Sequence, residues 1–281
     1  MKQENFFKQF FSEIKKKLFP VVLSDLVFTF LLLYFLVYAG NKLYEYLAVI
    51  QSYTPAISDL KSALENNSVS YTQFESLVNN IDALTNKFLL FTYFIIPVVL
   101  LFIFIIFKGI SYKLLSIKSF KEIFDFKYFV KFLVLTLPLF FVMFFVFRKL
   151  LELIKSTFFI YYGIGVINIY QQILLFLISL FIIFYFFAIA YSLIDRNSLI
   201  ETLNKTFFIG FKKFYLLMPI FLPMFALLIL YFILMVHIFL IYILSSFAEI
   251  KLSVLIGLFL VILFISSYKI FFSLIIKRFE N

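Results

Sequence analysis

Long apolar runs separated by short polar clusters set the pattern of this chain. Residues 156–194 and 214–248 hold no Asp, Glu, Lys or Arg, and neither do 26–41, 88–107, 132–147 and 252–268. A bilayer core is about 30 Å thick, and an α-helix rises about 1.5 Å per residue, so roughly 20 apolar residues cross it. The runs are continuous rather than alternating. Lipid supplies no hydrogen bonds to a backbone, so continuous runs favour helices over barrel strands. The expected fold is all-α and polytopic. Its six transmembrane helices fall near 19–39, 88–107, 130–147, 168–190, 214–243 and 252–272.

The polar segments predict the rest of the architecture. In residues 1–18, Phe6, Phe7, Phe10, Phe11, Ile14 and Leu18 recur at helical spacing, with Lys8, Gln9, Glu13, Lys15 and Lys16 largely opposite. That is a basic amphipathic helix lying on the membrane surface, not a cleavable signal, which would place an apolar core after a short basic stretch. Residues 19–281 form the membrane domain. Within it, 40–87 is the one sizeable polar region. Leu43, Tyr46, Leu47 and Ile50 share a helical face, as do Phe74, Leu77, Val78, Ile81 and Leu84. Pro55 is expected to interrupt the first run, and Asn66-Asn67-Ser68 marks a turn, giving a short outer helical hairpin. Too small to bury a core alone, it needs the membrane, a second copy or a protein partner to rest on. Asn66 also sits in an N-x-S acceptor pattern, a possible glycosylation site.

Charge gives the orientation. Six spans leave both termini on one face, and the segments there hold 18 of the 25 Lys and Arg residues. Positive charge is retained in the cytosol, so both termini are expected to be cytoplasmic in a multi-pass cell-membrane protein. The net charge of +10 is thus a topology signal and an attraction for anionic lipid head groups, not a nucleic-acid footprint. With 46 Phe, 22 Lys against 3 Arg, and no Trp, the composition fits an A/T-rich coding sequence better than an aromatic cage. Cysteine is absent, which excludes disulfides, thiolate metal sites and thiol nucleophiles.

Two stretches, about 89–147 and 168–228, read as an internal repeat. Tyr112, Ser119 and Glu122 correspond to Tyr191, Ser198 and Glu201; Lys131, Pro138, Phe140, Met143 and Phe144 correspond to Lys212, Pro219, Phe221, Met224 and Phe225. Ser119 with Glu122, and Ser198 with Glu201, are capping boxes, each expected to open a cytoplasmic amphipathic helix. A boundary Lys follows, and seven residues later a Pro enters the next span. The amino-terminal helix with Lys16, Lys17 and Pro20 reads as a third, diverged copy. All copies share one orientation, as repeats related by an axis along the membrane normal do.

Catalytic chemistry finds little to stand on. His237 is the single histidine, with no acid near it in sequence, and no zinc, hydrolase or phosphate-loop motif occurs. No cofactor or metal is expected. Asp25 lies about six residues into the first span. It reads either as a proton or cation ligand between helices or, more plainly, as a hydrated acid near the inner interface, assisted by Ser24 and the helix dipole. His237, Gln171 and Gln172 lie in the outer part of their spans. They read as a polar pocket, or as packing residues beside interfacial tyrosines. Asp195-Arg196 is expected as a solvated pair, and Lys269 as a residue snorkelling to the inner surface.

The unit Ser-x-x-Glu, amphipathic helix, Lys-x₆-Pro within a span resembles that of six-span prokaryotic membrane proteins. Among these are the membrane domains attached to some glycerophosphodiester phosphodiesterases. The similarity covers roughly 89–228, and the hairpin at 40–87 departs from it. In that class a separate soluble barrel carries catalysis, so the resemblance implies a non-catalytic membrane part and transfers no functional residue. The expected function is a membrane scaffold that organises lipid or a partner; the alternative is a transporter or scramblase for an amphiphile.

Overall fold

The computed structural model describes residues 3–65, 71–116, 122–159, 166–244 and 252–280. Every regular element among them is a helix, as the continuous apolar runs require. In chain order these are α1 (Gln3–Glu65), α2 (Tyr71–Leu90), α3 (Ile96–Leu114), α4 (Phe126–Phe159), α5 (Val166–Leu193), α6 (Leu199–Lys212), α7 (Phe214–Leu244) and α8 (Leu252–Glu280). Four stretches of the described residues are long and apolar enough to cross a membrane: Phe10–Tyr53, Glu75–Leu114, Phe214–Ile238 and Ser253–Glu280. Leu177–Leu193 within α5 is a shorter apolar stretch.

α1 corrects two expectations. It has 63 residues and therefore extends about 95 Å, some three times the thickness of a bilayer core. The amino-terminal amphipathic segment is not a separate surface helix. It runs straight into the apolar run because its inner side packs on the bundle: Phe10 meets Phe271 at 5.0 Å, and Ile14 and Leu18 join the cluster of Val21, Leu114, Leu115 and Ile270. At the other end, Pro55 does not interrupt the helix. It removes one hydrogen bond, at about 3 kcal/mol, but the turns on either side persist against α2. The outer hairpin at 40–87 is accordingly built from prolongations of the helices below it, not from a separate module. Asn66 and the turn beside it lie outside the described residues.

α2 joins α3 through one π-helical turn, Phe91–Ile95. Pro97 explains it. Proline has no amide hydrogen and its ring collides with the carbonyl four residues earlier, here that of Tyr93. Widening the preceding turn relieves the collision. The Ile96 amide reaches back to the Phe91 carbonyl, and the Thr92 hydroxyl bonds the Phe88 carbonyl.

Three further apolar clusters form the rest of the core. One joins α5 to α8 through Tyr185, Ile189, Phe221, Phe272 and Ile276; a second joins α3, α4 and α5 through Ile105, Phe132, Leu139 and Tyr191. The third pairs α7 with α8 and takes up Leu26, Leu32 and Leu33 of α1. Outward, Phe30, Tyr34, Phe102, Phe141, Ile233 and Phe264 are exposed on helix after helix. Apolar surface on this scale exceeds what a water-soluble monomer shows and suits hydrocarbon as solvent.

The two halves of the expected repeat differ at their inner corners. Ser198 does cap α6, its side chain accepting from the Glu201 amide at 3.3 Å. On the other side, Ser119 lies outside the described residues, and no helix follows Glu122, since residues 123–125 are non-helical. Asp125 caps α4 instead. Its Oδ1 accepts from the Lys127 amide at 3.0 Å and the Tyr128 amide at 3.4 Å. Asp125 stands directly before the apolar run of α4, so its carboxylate meets the first orphan amides of that helix. Tyr112 and Tyr191, which correspond in the expected repeat, touch with ring centroids 5.0 Å apart.

Candidate functional site: a buried ion cluster under an apolar cavity

Asp25 of α1 faces α3 and α8, and its carboxylate takes its hydrogen bonds from ammonium and hydroxyl donors of those two helices. α3 presents Lys108 and Ser111, three residues apart and so on one face; α8 presents Ser266 and Lys269 in the same way. Asp25 Oδ1 accepts from Lys108 Nζ at 2.8 Å and Lys269 Nζ at 3.0 Å. Its Oδ2 accepts from Lys269 Nζ at 2.7 Å and Ser266 Oγ at 2.9 Å. Lys269 donates further to Ser111 Oγ at 2.8 Å and lies 5.1 Å above the Tyr112 ring. One turn along α1, Thr29 bonds the Asp25 carbonyl at 2.8 Å and meets the Tyr231 hydroxyl at 3.0 Å.

This arrangement overturns two expectations. Asp25 is not a hydrated interfacial acid: it is 2% exposed. Nor does Lys269 snorkel; it is 6% exposed and turned into the bundle. A lone charge in such a place costs several kcal/mol, and a cation next to a saturated carboxylate avoids that cost. Ser24, invoked as an aid to Asp25, bonds the Phe107 carbonyl at 3.0 Å and so helps dock α1 on α3.

Above the cluster lies a partly open cavity of about 620 Å³, reached from α1, α3, α4, α5, α7 and α8. Asp25 and Lys108 line one end, and Leu43, Thr92 and Tyr93 the other. Between them the walls are chiefly Phe, Leu and Ile, with Thr29, Thr136 and Tyr231 as polar points. From Tyr93 to Lys108 the helix rises about 22 Å, so the cavity follows most of a bilayer core. Lys108 is the accessible cation: its side chain is 19% exposed, against 7% for Lys269. It also lies 4.3 Å over the Phe28 ring.

A second polar group ties the helix ends together on the side of the α3–α4 and α5–α6 connections. Lys113 pairs with Asp195, and more loosely with Asp125 at 3.4 Å. Asp195 is therefore held by a lysine of α3 and is not a solvated partner of Arg196. Burial pushes the Asp125 carboxyl up, but the Tyr128 amide and Lys113 ammonium outweigh it and hold it below the usual carboxylate range. Lys131 bonds the Asn197 carbonyl at 3.0 Å, while Lys17 and Lys277 both donate to the Leu115 carbonyl, at 2.8 and 2.6 Å. Cations there satisfy the carbonyl end of α3 and complement its dipole. Lys205 bridges Glu201 at 2.9 Å and Glu280 at 3.0 Å, which together raise its ammonium above the ordinary lysine value.

The other residues singled out in the sequence do not join the cluster. His237 is exposed on α7. Gln171 and Gln172 lie in α5, but their side chains are outside the described residues. Sequence reasoning missed Lys108, Lys269 and Ser266 as partners of Asp25, and Ser111 as a partner of Lys269. The available signal was depth: all three charges sit near the inner ends of their expected spans. Compared with family models, curated proteins and solved structures, the chain has no match.

Proposed function

We propose that this chain is a non-catalytic, six-span membrane protein with cytoplasmic termini that holds an amphiphile inside its helical bundle. The carrying observation is the cavity of about 620 Å³, apolar along its walls and charged at one end. Such a site has the two chemistries of an amphiphile in the right order, with the ionic end near the inner face and the apolar length pointing outward. Support for six spans comes from α4 and α5, whose described residues pack with three of the four apolar stretches, those of α3, α7 and α8, through shared core clusters. Support for a non-catalytic role comes from the separation of His237, exposed on α7, from Asp25, whose carboxylate is saturated by lysine and serine donors. The long α1–α2 hairpin gives a protein partner, or a second copy, a surface well outside the hydrocarbon.

The test is lipid retention. Protein purified in mild detergent is compared by native mass spectrometry with Leu100→Trp, which fills the cavity, and Phe102→Trp, which alters the exposed outer face. Retained lipid lost in the first variant and kept in the second supports the proposal. Equal retention in both removes it.

A second reading, movement of the amphiphile between leaflets, is favoured by the length of the cavity, which runs from Asp25 past the middle of the bundle to Leu43. Proteoliposomes carrying labelled lipid distinguish the two: a carrier accelerates exchange between leaflets, and a holder does not.

A further inference from the structure

We infer that the cavity selects an amphiphile with a singly charged anionic head group, and that Lys108 is the residue that receives it. This rests on the amphiphile-holding reading above and adds the charge of the ligand.

The inference follows from the charge balance of the cluster. Asp25 contributes one negative charge, and Lys108 and Lys269 one positive charge each, leaving an excess of one positive charge. Ser111, Ser266, Thr29 and Tyr231 surround the group and carry none. An uncompensated cation under an apolar cavity is costly, and a monoanion neutralises it; a dianion would only reverse the sign.

Geometry decides which lysine receives the ligand. Lys269 is turned away, its ammonium shared between Asp25, Ser111 and the Tyr112 face. Lys108 lines the cavity. One of its three N–H donors goes to Asp25 Oδ1, which orients the ammonium while others remain for an oxygen ligand. The Phe28 ring beneath it pairs with Phe104 edge to face at 6.1 Å, and both line the cavity, so the apolar length of the ligand begins beside the cation. The shared chemistry is an anionic oxygen on an apolar chain, as in a phosphodiester lipid or a fatty carboxylate.

The test is competition by native mass spectrometry of the full chain, with three probes: phosphatidylglycerol, a long-chain fatty acid and zwitterionic phosphatidylcholine. Wild type is expected to retain one or both anionic probes at least tenfold over phosphatidylcholine. Whichever anion prevails identifies the source as phosphodiester or carboxylate. Lys108→Gln brings the cluster to neutrality while leaving the Asp25–Lys269 pair; it is expected to reduce the ratio to near one, and Lys108→Arg to keep it. The wild-type comparison needs no variant, so it stands even if Lys108→Gln does not fold. Equal retention of anionic and zwitterionic probes, both displaced by Leu100→Trp, overturns this inference and leaves the amphiphile reading intact. An anion preference unchanged in Lys108→Gln overturns it as well. If no probe is retained, the amphiphile reading itself fails.

Discussion

Asp25 of α1 and Lys269 of α8 are 2.7 Å apart across 244 positions of sequence. With Lys108 of α3, they bind the first, second and last expected spans at a common depth. Removing the anion leaves buried Lys269 facing a second, part-buried cation, Lys108, whereas removing Lys269 leaves Asp25 paired with Lys108. Breaking a buried pair costs about 3–5 kcal/mol when a charge is stranded. Asp25→Asn is therefore expected to lower the melting temperature in detergent markedly, and Lys269→Met by clearly less. Equal effects would show that the network does not govern packing of the three helices.

Gly109 and Gly210 are each covered by an aromatic ring from a neighbouring helix. A Cβ at Gly109 would lie 2.9 Å from Phe129 Cε1, and at Gly210 2.6 Å from Phe186 Cε1. In both places the tyrosine preceding that phenylalanine, Tyr128 or Tyr185, donates to the glycine's own carbonyl, at 3.0 and 2.9 Å. Overpacking costs about 1–3 kcal/mol, and replacing a helical glycine by alanine returns about 1 kcal/mol. Gly210→Ala is expected to destabilise by up to about 2 kcal/mol net. At Gly257 an added Cβ would meet no atom within 4 Å, so alanine is expected there with a small gain. Detergent melts of the two variants check the order.

Ser198 closes the start of α6, and its loss is a local matter. Ser198→Ala is expected to cost about 1 kcal/mol. Hydrogen exchange of the Glu201 and Thr202 amides is expected to quicken while amides in α8 keep their protection. Uniform loss of protection would mean that α6 does not fold as a separable unit.

What was legible in the sequence divides along the range of the forces. The all-helical fold follows from lipid's refusal of backbone hydrogen bonds, which acts residue by residue, so helical character could be read directly, though not the unbroken length of α1. Ser198 and Glu201 lie within one turn and were equally open to reading. The first capping box lies partly outside the described residues, and the cap described at that corner is Asp125, which stands next to the apolar run of α4 and meets its first orphan amides. Pro55 misled because a single lost hydrogen bond does not end a helix packed against a neighbour. The site was half legible: Asp25 stood out as a charge in a span, but its partner is a tertiary fact. Lys269 looked like a snorkelling residue because its distance from the span end allows that; only the approach of α1 to α8 offers it a carboxylate.

Asp125 yields a pH dependence whose direction is fixed. Its folded carboxyl titrates below the unfolded value, so its charged form stabilises the fold. That contribution is complete above about pH 4–5, near the unfolded value of about 4, and is lost as pH falls through the lower folded value. Asp125→Asn keeps a capping oxygen and removes the charge. The melting temperature of wild type is expected to exceed that of the variant at about pH 6, with the gap closing as pH falls below about 4. A gap that widens in acid would contradict the assignment.

Single-cysteine labelling tests the central claim, a lipid-solvated bundle with the ion cluster towards its cytoplasmic face. The chain has no cysteine of its own, so each introduced thiol reports alone. Ser62→Cys in α1 and Asn204→Cys in α6 place a thiol at exposed positions. On the proposed topology these lie on opposite sides of the membrane, each within reach of a membrane-impermeant maleimide from one side. In intact cells the account predicts labelling at 62 only, with 204 reacting after permeabilisation. Labelling of both from the same side would contradict it.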